Sequence, residues 1–202
     1  MADRPILFSA PMVLAIFAGW KTVTRRVRTS ERCPYGEPGD RLYVRESWAV
    51  HSMPFEGHGT GYVLEYLADG ETREILFDGR VRPSPPEDGS RLAWCMRVAD
   101  RGGRPSIHMP RWASRLTLDV LDVRAERLQE ITGEDVLLEG VGQPWNGRGI
   151  ADAGGMTADS ERQLRDRFRS LWDSINASRK GGIYAWGRDP CVWRVEFRVV
   201  TP

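Results

Sequence analysis

The sequence predicts an α+β chain in which short strands outnumber helices and the two do not alternate regularly. Two observations carry that prediction. Hydrophobic residues recur with period two at several separated points, and elsewhere they recur at helical spacing. A doubly wound sheet needs a crossover helix between successive parallel strands, which this order of elements does not supply. The length of 202 residues is that of one domain spanning 1–202, with enough chain to bury a core without disulfide staples.

Taken in order, Pro5 to Phe8 reads as a short buried strand. Ser9 is placed to cap a helix, Pro11 suits its first turn, and Met12, Val13, Ile16 and Phe17 follow at helical spacing up to Gly19. The run Ile6 to Trp20 is mostly apolar, but Pro11 interrupts it and it falls short of the roughly 20 residues that span a bilayer. Lys21, Arg25 and Arg26 then stand where a secretory leader has small residues and a cleavage site, so a strand and helix are expected, with no membrane partner. Pro38-Gly39-Asp40 marks a turn into a strand over Arg41 to Trp48.

Residues 49–107 have a weaker pattern. Strands are expected at Gly61 to Leu67, Glu74 to Phe77 and Leu92 to Val98, and a loop at Arg82 to Asp88, which holds three prolines. A long strand follows over Ala113 to Arg124. Thr132 caps a helix that runs through Glu139 and stops at Gly140. Gly142 to Gly155 reads as a glycine-rich loop, and Ser160 to Ile175 as an amphipathic helix with Leu164, Phe168, Leu171 and Trp172 on its apolar face. Near the end, Trp193, Val195, Phe197 and Val199 alternate with Arg194, Glu196 and Arg198 as in a half-buried strand. No internal repeat is visible.

Composition excludes several classes of protein. A hydrophobic content of 41% with 28% charged residues rules out a disordered chain and a membrane-embedded one. Twenty-nine basic against 28 acidic residues leave +1, so the whole molecule is no general polyanion binder, although a local basic patch is compatible with that balance. Cys33, Cys95 and Cys191 are far apart and lack CxxC spacing, which fits a reducing cytoplasm. His51, His58 and His108 have no metal-ligand spacing, and no P-loop, GxGxxG after a strand, HExxH or GxSxG is present. Neither metal nor cofactor is expected, and the sequence assigns no oligomeric state.

The chemistry concentrates in Gly19-Trp20-Lys21-Thr22-Val23-Thr24-Arg25-Arg26. Only Lys21 and Lys180 are lysines in a chain otherwise served by arginine, and lysine alone of the two titrates when desolvated. Lys21 and Thr24 share a face only on a helical turn or curled loop; on a flat strand they point apart. A desolvated Lys21 beside another cation has a lowered pKa and takes a proton from the Thr24 hydroxyl. Arg25 or Arg26 supplies that cation, and either one also suits a phosphate or a base edge. The plainer reading of the same residues is a solvated basic loop after a helix.

Two carboxylates suit such a pair. Glu46 lies on the following strand, and Glu139 lies at a helix C-terminus, the end where the dipole disfavours negative charge. Glu134 and Asp135, in the first turn, are explained by that dipole. Eight tryptophans form a second signal, since indoles among arginines stack nucleobases as well as fill cores. Ile107-His108-Met109-Pro110-Arg111-Trp112 places His108, Arg111 and Trp112 together just before a strand.

These motifs resemble an ASCH domain. The strand–helix start, the Gly19-x-Lys21-Thr22-x-Thr24-Arg25-Arg26 run, the Pro38-Gly39-Asp40 turn and the segment Leu128 to Gly140 carry the likeness. Cys33-Pro34-Tyr35-Gly36, Arg45-Glu46-Ser47-Trp48 and the 107–112 segment are similar to the longer ASCH proteins of tailed bacteriophages and prophages. The resemblance implies a PUA-like small β-barrel with flanking helices, a superfamily associated with RNA and modified bases. Residues 49–106 and 142–160 would then be large loop insertions. Small members include bacterial N4-acetylcytidine amidohydrolases, whose catalytic residues fall on Lys21 as base, Thr24 as nucleophile and Glu139 as proton-transfer partner.

The function implied is removal of an acyl group from the exocyclic N4 of an acylated cytosine nucleoside or related modified pyrimidine. Arg25, Arg26, Glu46, Trp48, His108, Arg111 and Trp112 are the expected substrate-binding residues, and the partner is a modified nucleoside or a nucleic acid. Two alternatives use the same basic and aromatic residues: a non-catalytic RNA or modified-base reader, and an ASCH-type ribonuclease. A structural phage component is the plainest option.

Overall fold

A computed structural model describes residues 2–55, 59–75, 90–142 and 156–200. The chain runs β1 (Asp3–Leu7), α1 (Ala10–Phe17), β2 (Val23–Val27), β3 (Arg41–Arg45), β4 (Trp48–Phe55), β5 (Gly59–Tyr66), β6 (Thr72–Ile75), α2 (Ser90–Val98), β7 (Thr117–Arg127), α3 (Gly133–Leu138), α4 (Ala158–Asn176) and β8 (Cys191–Val199). The class is α+β, as the sequence predicts. Five strands form one sheet in the order β1-β3-β7-β8-β2, and three form a second in the order β4-β5-β6. The expected proline loop at 82–88, the end of the 74–77 strand, His58, Trp145 and the stretch 143–155 lie outside the described residues.

Two compact units divide the chain. The first comprises Met1–Arg4, Ala15–Tyr43 and Leu116–Pro202, and the second comprises Pro5–Leu14 and Val44–Arg115. In the first unit, β8 pairs antiparallel with both β7 and β2, which places Thr24 opposite Val195, Arg25 opposite Arg194 and Arg26 opposite Trp193. β8 buries Val192, Trp193, Val195 and Phe197, and also Arg194, because neighbours flank it on both sides. Val199 lies past the buried stretch and is exposed.

The helices of this unit follow their local signals. α3 begins at Thr132, whose hydroxyl accepts from the Asp135 N–H while the Asp135 carboxylate reaches back to the Thr132 N–H. α4 is capped the same way by Thr157 and Ser160. Leu164, Phe168 and Trp172, spaced four apart, pack with Leu128, Ile131, Val136 and Val192 into one core cluster. Phe17, expected on the apolar face of α1, is instead about half exposed, because Val13, Ala15 and Ile16 occupy the buried side.

The second unit holds β4, β5 and β6 as an antiparallel meander. Its core gathers Trp48, Val50, Tyr62, Leu64, Tyr66, Cys95, Val98, Met109 and Ala113. One expectation is overturned here: Leu92 to Val98 is not a strand but part of α2. Cys95 and Val98, three apart, face the core, while Met96 and Arg97 face solvent. A continuous apolar run of this length fits either element, and burial at helical spacing decides it. The strand expected from Ala113 begins only at Thr117, since Arg111–Ala113 form a 3-10 turn.

Candidate functional site

The chain leaves α1 through Gly19, whose φ of +73° is the left-handed conformation glycine adopts at little cost. Trp20 and Lys21 then donate their N–H groups to the Ala15 carbonyl. Lys21 forms an isolated antiparallel bridge with Glu139, and the Thr22 N–H donates to Leu138 O at 2.9 Å. The C-terminus of α3 is thereby pinned beside the start of β2. Gly140 (φ +78°) permits this approach, since a Cβ there would stand 2.9 Å from the Ala15 Cβ and 3.1 Å from the Lys21 Cβ.

The result is a buried charge cluster. Lys21 Nζ donates to Glu139 Oε2 at 2.7 Å, to Glu139 O at 2.9 Å and to Val23 O at 2.8 Å. The other Glu139 oxygen, Oε1, lies 3.3 Å from Arg25 Nη1. Arg25 is fully enclosed and spreads its fork over two further carboxylates, Glu126 at 2.6 Å and Asp135 at 3.0 Å. Arg194, its cross-strand neighbour, pairs with Glu196 at 2.9 Å and Asp135 at 3.5 Å. Buried charges persist only when paired and hydrogen-bonded in this manner.

Electrostatics in the cluster pull in opposite directions. Burial draws the Lys21 pKa below its ordinary value; Glu139 opposes that, while Arg26 and Arg25 add to it. For Asp135, burial raises the pKa, but Arg25, the Thr132 N–H and Arg194 outweigh it and hold the carboxyl below its ordinary value. Burial also lowers Arg26, with Tyr35 and Glu139 opposing and the like charge of Arg179 contributing.

Thr24 is buried at 3% exposure and lies opposite Val195. Alternation along β2 sends its side chain to the face opposite Val23 and Arg25, the face it shares with Arg26. Lys21 Nζ is hydrogen-bonded to Glu139 and to the carbonyl of Val23, one residue before Thr24.

The remaining expected binding residues belong to the second unit. Glu46 is 1% exposed, and Arg115 grips it bidentately at 2.9 Å for each oxygen. Arg115 also reaches Asp69 and Glu71, each at 2.8 Å, and lies over the Tyr66 ring at 4.2 Å. Burial would lower the Arg115 pKa, but Glu46 and Asp69 raise it beyond its ordinary value. Trp48, 1% exposed, stacks on Trp94 at 4.8 Å with Arg104 over its ring at 5.9 Å, so it is core and presents no open face. Trp112 is half-buried and meets Trp94 edge-on at 5.3 Å. His108 and Arg111 are exposed on successive 3-10 turns.

Arg115, Glu126 and Asp135 were not among the expected site residues. Asp135 reads from sequence as a helix-dipole residue, and it has that role together with its ion pairs. Nothing local marks Arg115, because its partners lie 44 to 69 residues away. Among the described residues, no group of three or more His, Cys, Asp or Glu side chains is arranged to hold a metal ion, and no helix is long and apolar enough to cross a membrane.

No family model and no curated protein matches the sequence. Among solved structures, the chain is similar to the crystal structure of an ASCH domain from Lactobacillus crispatus JV V101. The TM-score is 0.38 at 9% identity, over 98% of this chain and 79% of that one. A likeness of that degree transfers no residue role from one chain to the other.

Proposed function

We propose that the protein is an amidohydrolase that removes an acyl group from the exocyclic N4 of a cytosine nucleoside or related modified pyrimidine. The observation that carries this reading is the buried Lys21–Glu139 pair, 2.7 Å apart, with Thr24 also buried three residues further along the chain. A lysine in such a setting serves as a general base once its proton has passed to the carboxylate. Neutral Nζ then takes the Thr24 hydroxyl proton as Oγ1 adds to the acyl carbonyl carbon. The tetrahedral oxyanion collapses, the C–N bond breaks, and the departing exocyclic nitrogen receives the proton carried by Glu139. Water hydrolyses the Thr24 ester, returning the free hydroxyl and a carboxylic acid. Arg25 supports the sequence by holding Glu139 in place through its second oxygen.

The test is turnover of N4-acetylcytidine and its deoxy form by wild type, Thr24→Ala and Lys21→Ala. Wild type is expected to release cytidine, and Thr24→Ala to lose at least about a thousandfold in kcat while keeping its fold, since it removes the nucleophile. Activity of Thr24→Ala equal to wild type would exclude this mechanism.

One observation favours a second reading. Three acceptors surround Lys21 Nζ, matching the three protons of an ammonium, and a lysine held as a cation orders the site through Glu139 rather than abstracting a proton. A non-catalytic reader of a modified base would use it that way, and absence of turnover from wild type would point there.

A further inference from the structure

The two faces of β2 are chemically unlike. On the face that carries Arg25, every guanidinium has carboxylates: Arg25 has three, and Arg194 opposite it pairs with Glu196 and Asp135. The other face carries Thr24 and Arg26, with Arg28 one further step beyond the strand end. Trp193 lies opposite Arg26, and Arg28 sits over its ring at 4.9 Å.

Three cations of this neighbourhood, Arg28, Arg179 and Lys180, are held by neutral groups. Arg28 donates to Ser30 O at 3.3 Å and toward Cys191 Sγ at 3.9 Å. Arg179 donates to Asn176 Oδ1 at 2.8 Å. Arg179 and Lys180 both lie over the Tyr184 ring, at 5.8 and 5.9 Å. Among the described residues, none of these three cations pairs with a carboxylate. Arg179 acts on Arg26 as a like charge, which ties the two groups to one neighbourhood. The turn carrying Arg179 and Lys180 is unusual too. Lys180 (φ 46°, ψ 47°), Gly181 and Gly182 are all left-handed, a conformation uncommon for lysine that is associated with functional positions. The indole Nε1 of Trp193 is also buried without a hydrogen-bond partner.

We propose that Arg28, Arg179 and Lys180, together with Arg26, form a phosphate-binding subsite, so that the ligand is a phosphorylated nucleoside rather than a free one. The reasoning is charge and placement. Arg28, Arg179 and Lys180 are exposed and have no carboxylate to offset their charge among the described residues, so they set up a local positive field that attracts an anion, and guanidinium groups meet phosphate oxygens with paired donors. Thr24, Arg26 and Arg28 follow at steps of roughly 7 Å along an extended strand, so a base at Thr24 leaves its sugar phosphate along the arginines. The aromatic rings of Trp193 and Tyr184 back these cations. A mononucleotide and a polynucleotide both present this phosphate.

The substrate class rests on the proposed nucleoside chemistry, but the test does not use turnover. Binding of cytidine, cytidine 5′-monophosphate, inorganic phosphate and a short single-stranded oligocytidylate is measured by calorimetry. Wild type, the Arg28→Gln/Arg179→Gln double variant, Lys180→Gln and the control Arg198→Gln are compared. Arg198 is exposed and already pairs with Asp119 at 3.2 Å, so its loss is expected to change nothing. The monophosphate is expected to bind wild type at least about tenfold more tightly than cytidine, and the double variant to lose that preference while binding cytidine as before. Lys180→Gln is expected to lose part of it. An oligonucleotide that binds more tightly than the monophosphate, with steep salt dependence, identifies a polynucleotide as the source; equal binding identifies a free nucleotide. Either result supports the subsite. Equal affinity of wild type for cytidine and its monophosphate, survival of the preference in the double variant, or no binding of any phosphate-bearing probe overturns it. Failure to deacylate N4-acetylcytidine with the phosphate preference intact removes the catalytic reading alone.

Discussion

Lys21 shows how one side chain is set by competing effects at short range. Burial favours its neutral form, and the Glu139 carboxylate at 2.7 Å favours the cation. The net direction is downward, so the fraction of neutral lysine grows at a lower pH than for a free side chain. If Lys21 and Glu139 act as proposed, sharing one proton between Nζ and the carboxylate, kcat/KM for deacylation is expected to fall with pH along a limb whose midpoint lies below the ordinary lysine value of about 10.4, as that proton is lost. A pH–rate profile checks this, and a flat profile from pH 6 to 10 would remove Lys21 from that role. Stability follows the same linkage. Between the folded and unfolded pKa values of Lys21 the unfolded chain binds more protons, so the penalty from this group diminishes as pH rises through that window. Arg115 makes the contrasting case. It touches Glu46, Asp69 and Glu71, and its removal strands a carboxylate that is 1% exposed. Arg115→Met is expected to destabilise the second unit by about 3–5 kcal/mol, read from denaturant unfolding.

At the scale of elements, the junction of α1, β2 and α3 is what makes the cluster. α3 has only six residues, yet its capping box fixes its start and Gly140 fixes its end, so Glu139 emerges at a defined point beside Lys21. Gly140→Ala tests this junction. A Cβ there meets two side chains at 2.9 and 3.1 Å and sits at φ +78°. Left-handed strain and overpacking together predict a loss of about 2–4 kcal/mol by thermal or denaturant unfolding. If the catalytic reading holds, activity also falls at temperatures where the variant is folded, because Glu139 is pushed away from Nζ. An unchanged melting temperature would show that the approach is looser than its geometry indicates. The same scale explains α2. The apolar stretch before Val98 carries no period of its own, and only packing of Cys95 and Val98 on the β4–β5 face selects a helix.

At the scale of the whole molecule, the outcome divides by how far apart the interacting residues lie. The sequence by itself determined the α+β class, the bounds of α3 and its glycine stop, the apolar face of α4, the strand at β8 and the conspicuous run from Gly19 to Arg26. These are legible because capping, glycine conformation and hydrophobic period act within a few residues. It also singled out Glu139, whose charge its own helix does not favour. Tertiary structure alone decided which carboxylate meets which cation. Lys21 meets Glu139 across 118 residues, and Arg115 takes Glu46 across 69, withdrawing it into an interior ion pair. Tertiary structure also placed Trp48 in a core while leaving Trp112 half-buried. Charge and aromaticity are properties of a residue, but partner and exposure are set by strand register and by the ends of distant helices. Residue types near in sequence do not encode those.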